Sequence, residues 1–76
     1  MNTIIINKKE WTIKIAEVLL DGITLEEVLD YLASVSDVIV SINSNQDYML
    51  VDETKSKNYI IRKNENDMEL SVLSIM

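Results

Sequence analysis

The absence of cysteine and histidine from a chain of 76 residues is the feature that most limits what it can fold into. A small domain without these residue types has neither disulfide bonds nor the usual zinc ligands to stabilise it. A domain of this size also buries only about 60% of the surface that its unfolded chain exposes. The chain must therefore depend on a tightly packed hydrophobic core, on self-association, or on both.

The composition is that of one folded domain. Hydrophobic residues make up 47% of the chain, which is enough for a core and argues against disorder. There is no proline and only one glycine, and no stretch has the composition of a linker. We expect residues 1–76 to form a single domain.

The N-terminal third predicts a strand followed by a helix. The β-branched run Thr3–Ile6 is typical of a short strand. Asn7, with Glu10 three residues later, matches a helix N-terminal capping box. The polar residues that follow have helical spacing, at Glu10, Lys14, Glu17 and Asp21. We therefore predict a helix that starts after Asn7, runs through residues 10–21 and has Gly22 as its C-terminal cap.

A β-hairpin is the alternative for the same segment. In it, residues 3–7 would turn into a strand at residues 11–15, which suits the local β propensity. This pairing places Glu17 on the same face as Trp11, Ile13 and Ile15. We prefer the helix for that reason.

The next segment predicts a second helix. Thr24 and Glu27 have the spacing of a capping box. Apolar residues share one face at Leu25, Val28, Leu29 and Leu32, and polar residues take the other at Glu26, Glu27, Asp30 and Ser34. Because the loop before this helix is very short, we expect the two helices to form an αα-hairpin.

The C-terminal half predicts four strands separated by polar turns. The strand-like runs are residues 38–42, 48–51, 58–63 and 68–75. Short connections between consecutive strands favour an antiparallel meander. The fold class expected is therefore a two-layer α+β domain in the order β-α-α-β-β-β-β, with the αα-hairpin packed on the four-stranded antiparallel meander.

More apolar residues are present than one helical hairpin can cover. The surplus lies on the side of the predicted strands that faces away from the helices, at Ile39, Met49, Val51, Ile60, Leu73 and Ile75. Either the N-terminal strand and the sheet twist hide these side chains, or they form a dimer or partner interface.

The residue types exclude most chemistries. Without histidine or cysteine the chain has no imidazole base and no thiol nucleophile, and no local pattern pairs a serine with a lysine or carboxylate that could activate it. Gly22 alone cannot build a phosphate-binding loop. The carboxylate pairs Glu26-Glu27 and Asp52-Glu53 fit structural roles at a helix start and a turn. We expect no catalytic residues and no cofactor, so the protein is not expected to be an enzyme.

One segment has the beginning of a calcium-binding pattern. Asn43, Asn45 and Asp47 fit the first three ligand positions of such a loop. The glycine expected at its sixth position is Tyr48, and the glutamate expected at its twelfth is Thr54. We therefore predict a polar turn rather than a metal site.

Residues 16–32 resemble the opening half of a helix-turn-helix. The resemblance rests on the turn at Gly22 and on the Glu-Glu-Val-Leu run that begins at Glu26. It would imply a recognition helix next, but a strand is predicted at residues 38–42 and the chain has a net charge of −6. We therefore expect no direct binding of nucleic acid, because a phosphate backbone repels this charge.

We expect a cytoplasmic protein that does not enter a membrane. No apolar run approaches the ~20 residues needed to span a bilayer. At the N-terminus the charged residues follow the apolar stretch, which is the reverse of a secretory signal. The many Ile, Asn and Lys residues are typical of AT-rich genomes, and they favour a phage or mobile element of a low-GC bacterium as the source.

The charge distribution is the one feature that points to a partner. No basic residue occurs between Lys14 and Lys55, whereas nine acidic residues do. We predict partner-binding residues at Glu17, Asp21, Glu26, Glu27, Asp30 and Asp37. The hypothesis is a non-catalytic acidic inhibitor that mimics DNA, of the anti-restriction or anti-CRISPR type, and binds a basic nucleic-acid-binding protein or nuclease. The alternative is a self-associating accessory, antitoxin-like or structural module, a homodimer whose acids serve solubility only.

Overall fold

The computed structural model describes residues 2–76, which form a five-stranded mixed sheet with two α-helices. The strands are β1 (Thr3–Ile6), β2 (Lys9–Ile15), β3 (Asp47–Asp52), β4 (Lys57–Asn64) and β5 (Glu69–Ile75). The helices are α1 (Leu25–Ser34) and α2 (Ser36–Ser41), preceded by a 3₁₀ turn at Glu17–Leu19. The strand order is β1-β2-β5-β4-β3, with β2 and β5 parallel and every other pair antiparallel. The α+β class is thus confirmed.

The helix predicted over residues 10–21 is wrong, and the hairpin takes its place. Asn7 and Lys8 have φ of 53° and 66°, as in a two-residue type I′ turn, so Asn7 does not cap a helix. Strands β1 and β2 pair with Ile4 opposite Trp11, and both side chains are buried. The objection from Glu17 disappears because β2 ends at Ile15, before Glu17 would join the buried face.

The helix predicted from Thr24 is confirmed, together with its capping box. The Thr24 side chain accepts from the Glu27 amide at 3.2 Å, and the Thr24 amide donates to the Glu27 carboxylate at 3.1 Å. The predicted αα-hairpin is wrong, because from residue 2 to the start of α1 the structure contains two strands and only a short 3₁₀ turn. Gly22, with φ of 78°, lies in the loop between the 3₁₀ turn and α1.

The strand predicted at residues 38–42 is also wrong. This segment forms α2, which follows α1 after a break at Val35 (φ −107°, ψ 25°). The amides of Val38 and Ile39 both donate to the Val35 carbonyl oxygen. Burial of Ile39 on the sheet outweighs the β propensity of the Val-Ile-Val run.

Only the last three predicted strands form the antiparallel meander. In sequence they are β3, β4 and β5, and β5 then lies parallel to β2 with Ile13 beside Leu70. The four-stranded, purely antiparallel sheet predicted from the sequence is therefore replaced by a mixed sheet in which β5 is central.

The core lies between the helices and one face of the sheet, here called the inner face. Val28, Leu32 and Ile39 contribute the buried residues of the helices. Sheet residues buried with them include Ile6, Trp11, Ile13, Tyr59, Ile61, Leu70 and Val72. The rings of Tyr31 and Tyr59 stack at 4.8 Å between centroids, which joins α1 to β4.

The opposite, outer face of the sheet is not covered by either helix. It carries the ion pairs Lys14–Glu69 (2.9 Å) and Arg62–Asp47 (2.7 Å). Of the predicted surplus, Met49 and Val51 on β3 are 55% and 51% exposed, whereas Ile39 is buried and Ile75 packs against the core. The outer face therefore carries both ion pairs and exposed apolar side chains.

None of the helices in residues 2–76 has the length and apolar character needed to cross a membrane.

Candidate functional site

The net charge of the chain is confined to one segment. Residues 16–46, here called the acidic segment, contain six carboxylates and no lysine or arginine. The other residues contain seven acidic and seven basic side chains, so they contribute no net charge. The acidic segment comprises the 3₁₀ turn, both helices and the loops around them. The helical layer therefore accounts for the whole charge of −6.

All six predicted partner-binding residues lie in this segment. Glu17 is in the 3₁₀ turn, Asp21 in the next loop, Glu26, Glu27 and Asp30 on α1, and Asp37 on α2. Because α1 uses Val28 and Leu32 to contact the sheet, its acidic positions face away from the core. All except Glu27, which is half-buried, are exposed. Glu26 and Asp30 are neighbours on one helix face, about 5–6 Å apart at Cβ.

Glu27 differs from the other five because it already has partners. It completes the capping box of α1, and its Oε2 lies 2.5 Å from Lys55 Nζ of the β3–β4 turn. The Lys55 hydrogen bond, followed by those of Thr24, lowers the pKa of Glu27 to about 2. Its charge is therefore largely compensated within the protein.

The other three ion pairs among residues 2–76 lie outside the acidic segment. Lys14 and Arg62 pair on the outer face, and Lys63 pairs with Glu65 at 2.9 Å. Within residues 2–76, Glu17, Asp21, Glu26, Asp30 and Asp37 form no ion pair. Their field extends about one Debye length, ~8 Å at physiological salt.

A second polar feature, which the sequence analysis missed, is a cleft built around a buried lysine. Lys63 is 2% exposed and points to the inner face beside Tyr59 and Ile61. Its Nζ donates to the Val40 carbonyl oxygen at 3.2 Å and pairs with Glu65. The signal was present in the sequence, since Tyr59, Ile61 and Lys63 alternate along one strand and must share a face.

This Lys63 cleft has a volume of about 230 Å³ and lies between α2 and the β1–β2 hairpin. Its lining is polar and apolar in similar parts, and consists of Ile6, Asn7, Lys9, Trp11, Ile39, Val40, Lys63, Glu65 and Met68. Two cations and one anion are among these residues. The cleft contains none of the predicted partner-binding residues.

The described residues contain no cluster of three metal-ligating carboxylates. Near Asn45, where the sequence begins a calcium-like pattern, the backbone turns with φ of 65°. Asp52 caps its own turn by accepting from the Thr54 amide at 3.1 Å. Comparisons of the chain with protein-family models, with curated proteins and with solved structures each gave no match.

Proposed function

We propose that this is a non-catalytic binding protein whose acidic segment occupies the basic nucleic-acid-binding surface of a partner protein, such as a nuclease, and thereby inhibits it. The observation that supports the proposal is the concentration of the entire net charge on the helical layer. A nucleic-acid-binding surface offers the complementary charge, which would steer the encounter and exclude the nucleic acid. We propose a phage or mobile element as the source of the protein and the cytoplasm as its place of action.

The contacts proposed are graded by how free each carboxylate is. Glu26, Asp30 and Asp37 form the centre, because they are exposed on α1 and α2 without an ion pair among residues 2–76. Glu17 and Asp21 extend this surface at its edge. Glu27 contributes mainly by holding the start of α1, since Lys55 already compensates its charge.

Affinity capture from bacterial lysate with a charge-reversed variant tests this proposal. The variant E26K/D30K/D37K changes the net charge from −6 to zero. The matched control E10K/E53K/D67K makes the same change with exposed residues outside the acidic segment. We expect the control to retain the partner and the first variant to lose it.

Two further properties identify the mode of binding. Raising the salt concentration should release the partner, and added duplex DNA should displace it. A purified partner that cleaves DNA should be inhibited less when it is first loaded with DNA. Capture that survives both high salt and the E26K/D30K/D37K change would contradict the proposal.

Self-association through the outer face is the second candidate function. It is favoured by Met49 and Val51, which are more than half exposed on β3, the strand at one edge of the sheet. Light scattering after gel filtration separates the candidates. A dimer that M49K/V51K converts to a monomer would support this one, and a monomer at all concentrations would reject it.

A further inference from the structure

The Lys63 cleft contains a buried charge with an exchangeable partner. A buried ammonium group is costly unless its protons are bound. Among residues 2–76, Lys63 Nζ has two acceptors, the Val40 carbonyl oxygen and a Glu65 carboxylate oxygen. Since an ammonium group has three N–H donors, one donor remains for another acceptor.

Glu65 is the part of this arrangement that can move. It lies in the turn between β4 and β5, and its side chain is 60% exposed even though it pairs with a lysine that is 2% exposed. Lys63 first, with smaller effects from the Ser44 hydroxyl group and then from Lys9, lowers the pKa of Glu65. The carboxylate therefore sits at the mouth of the cleft, where a carboxylate from outside could replace it.

The rest of the cleft is suited to an apolar group. Met68 and the small part of Trp11 that remains exposed (7%) offer apolar surface to a ligand, whereas Ile39 is fully buried. The volume of about 230 Å³ is below the range of about 300–1,000 Å³ that is usual for drug-sized ligands. The space therefore corresponds to one small molecule.

The charge around Lys63 favours a monoanion. Val40 lies at the end of α2 and presents a carbonyl oxygen to the ammonium group, which adds negative potential close to any bound anion. A phosphate dianion would bring up to twice the negative charge of a carboxylate next to this carbonyl oxygen, and it would be repelled more strongly. A carboxylate also matches the group that Lys63 already binds.

We propose that the Lys63 cleft binds a small monocarboxylate with an aromatic or branched apolar group, whose carboxylate displaces that of Glu65 from Lys63. The apolar group lies against Trp11 and Met68, and Lys9 adds attraction at the rim. The site shares Ile39 and Val40 of α2 with the acidic segment, but it contains none of the carboxylates proposed to bind the partner.

Trp11 makes binding directly measurable, because it is the only tryptophan in the chain and it lines the cleft. We expect phenylacetate to change the tryptophan fluorescence saturably. Its uncharged analogue phenylacetamide, and acetate, which lacks the apolar group, should have little effect. Phenyl phosphate, which presents the alternative anion, should bind more weakly than phenylacetate.

Two variants test the roles of the charged residues. Glu65→Gln removes the competing carboxylate and should tighten phenylacetate binding by about tenfold. Lys63→Met keeps most of the buried side-chain volume but removes the charge, and it should abolish binding. Glu69→Gln is the matched control, since it breaks an ion pair on the outer face only. It should bind as the unmodified protein does.

The proposal is overturned if phenylacetate and phenylacetamide give the same titration. It is also overturned if phenylacetate leaves the tryptophan fluorescence of a folded Glu65→Gln variant unchanged up to about 10 mM, a concentration well above a millimolar dissociation constant. Tighter binding of phenyl phosphate would overturn the choice of ligand class. Should Lys63→Met fail to fold, the Glu65→Gln and amide experiments still decide. In that case, Lys63 would serve only to tie β4 to α2 if Glu65→Gln binds phenylacetate no more tightly than the unmodified protein and if phenylacetamide binds as well as phenylacetate does.

Discussion

At the scale of single residues, the same side-chain type has different roles in neighbouring positions. Glu26 and Glu27 are adjacent in sequence, but only Glu27 reaches both the Thr24 amide and Lys55. Glu27, which the sequence analysis groups with the partner-binding residues, is therefore mainly a structural group. Its position at N3 of α1, which the sequence does reveal, is what separates it from Glu26.

Glu27 should make stability depend on pH in the acid range. Its pKa is about 2 in the folded protein, below the ordinary value of 4.5, so the unfolded state binds more protons between these values. The stabilisation is fully present above about pH 4.5 and is lost as the pH falls toward 2. We expect Glu27→Gln to flatten this loss when denaturant unfolding is measured at a series of pH values.

Lys55→Gln provides the control for that measurement. Because the Lys55 hydrogen bond is the main cause of the lowered pKa of Glu27, removing it should flatten the same part of the pH profile. The double variant should add little to either single change, because both remove one interaction. A Glu27→Gln variant whose stability falls as steeply as that of the unmodified protein between these pH values would show that the pair does not form in solution.

At the scale of secondary structure, elements defined by side-chain chemistry were predictable and those defined by packing were not. The capping box at Thr24 and the polar turns of the meander follow from residue types, and the structure confirms them. The N-terminal hairpin and α2 differ from the sequence predictions, which are a helix for the residues of β2 and a strand for those of α2. Both are decided by which side chains reach the core, Trp11 and Ile13 in one case and Ile39 in the other.

The turn of the N-terminal hairpin contains strain that a glycine would relieve. Lys8 has φ of 66°, in the left-handed region that side chains with a Cβ rarely adopt. A type I′ turn favours Asn-Gly, and Asn7 is already present. We expect Lys8→Gly to raise the free energy of unfolding by about 0.5–1 kcal/mol, as measured by denaturant titration.

Lys8→Ala isolates the contribution of the backbone. It removes the same charge but keeps a Cβ, so it should give none of this gain. Equal stabilisation by alanine and glycine would mean that the lysine charge, and not the turn geometry, had limited stability.

The N-terminal cap of α1 should make a measurable contribution. Thr24→Ala removes the oxygen that accepts from the Glu27 amide at 3.2 Å. We expect a loss of about 1 kcal/mol in the free energy of unfolding. Thr24→Ser retains the hydroxyl group and should lose much less. If both variants lose the same amount, the methyl group rather than the cap is responsible.

At the scale of the whole molecule, the sheet order could not be derived from local patterns. The parallel contact between β2 and β5 joins residues far apart in sequence, such as Ile13 and Leu70. Because the prediction places the residues of β2 in a helix, it leaves β5 without its parallel neighbour. The charge distribution, in contrast, is visible in the sequence, because residues 16–46 happen to coincide with the helical layer.

The separation of charge should affect how the protein binds charged surfaces even without a partner. E26Q/D30N/D37N and E10Q/E53Q/D67N each reduce the net charge from −6 to −3. If the helical layer dominates the external field, the first variant should elute from an anion-exchange resin at lower salt than the second. Because a charged resin contacts only one side of a protein at a time, equal elution would mean that net charge alone determines binding. The acidic segment would then have no advantage over the sheet as a surface for a basic partner, and the mimicry of nucleic acid would lose its physical basis.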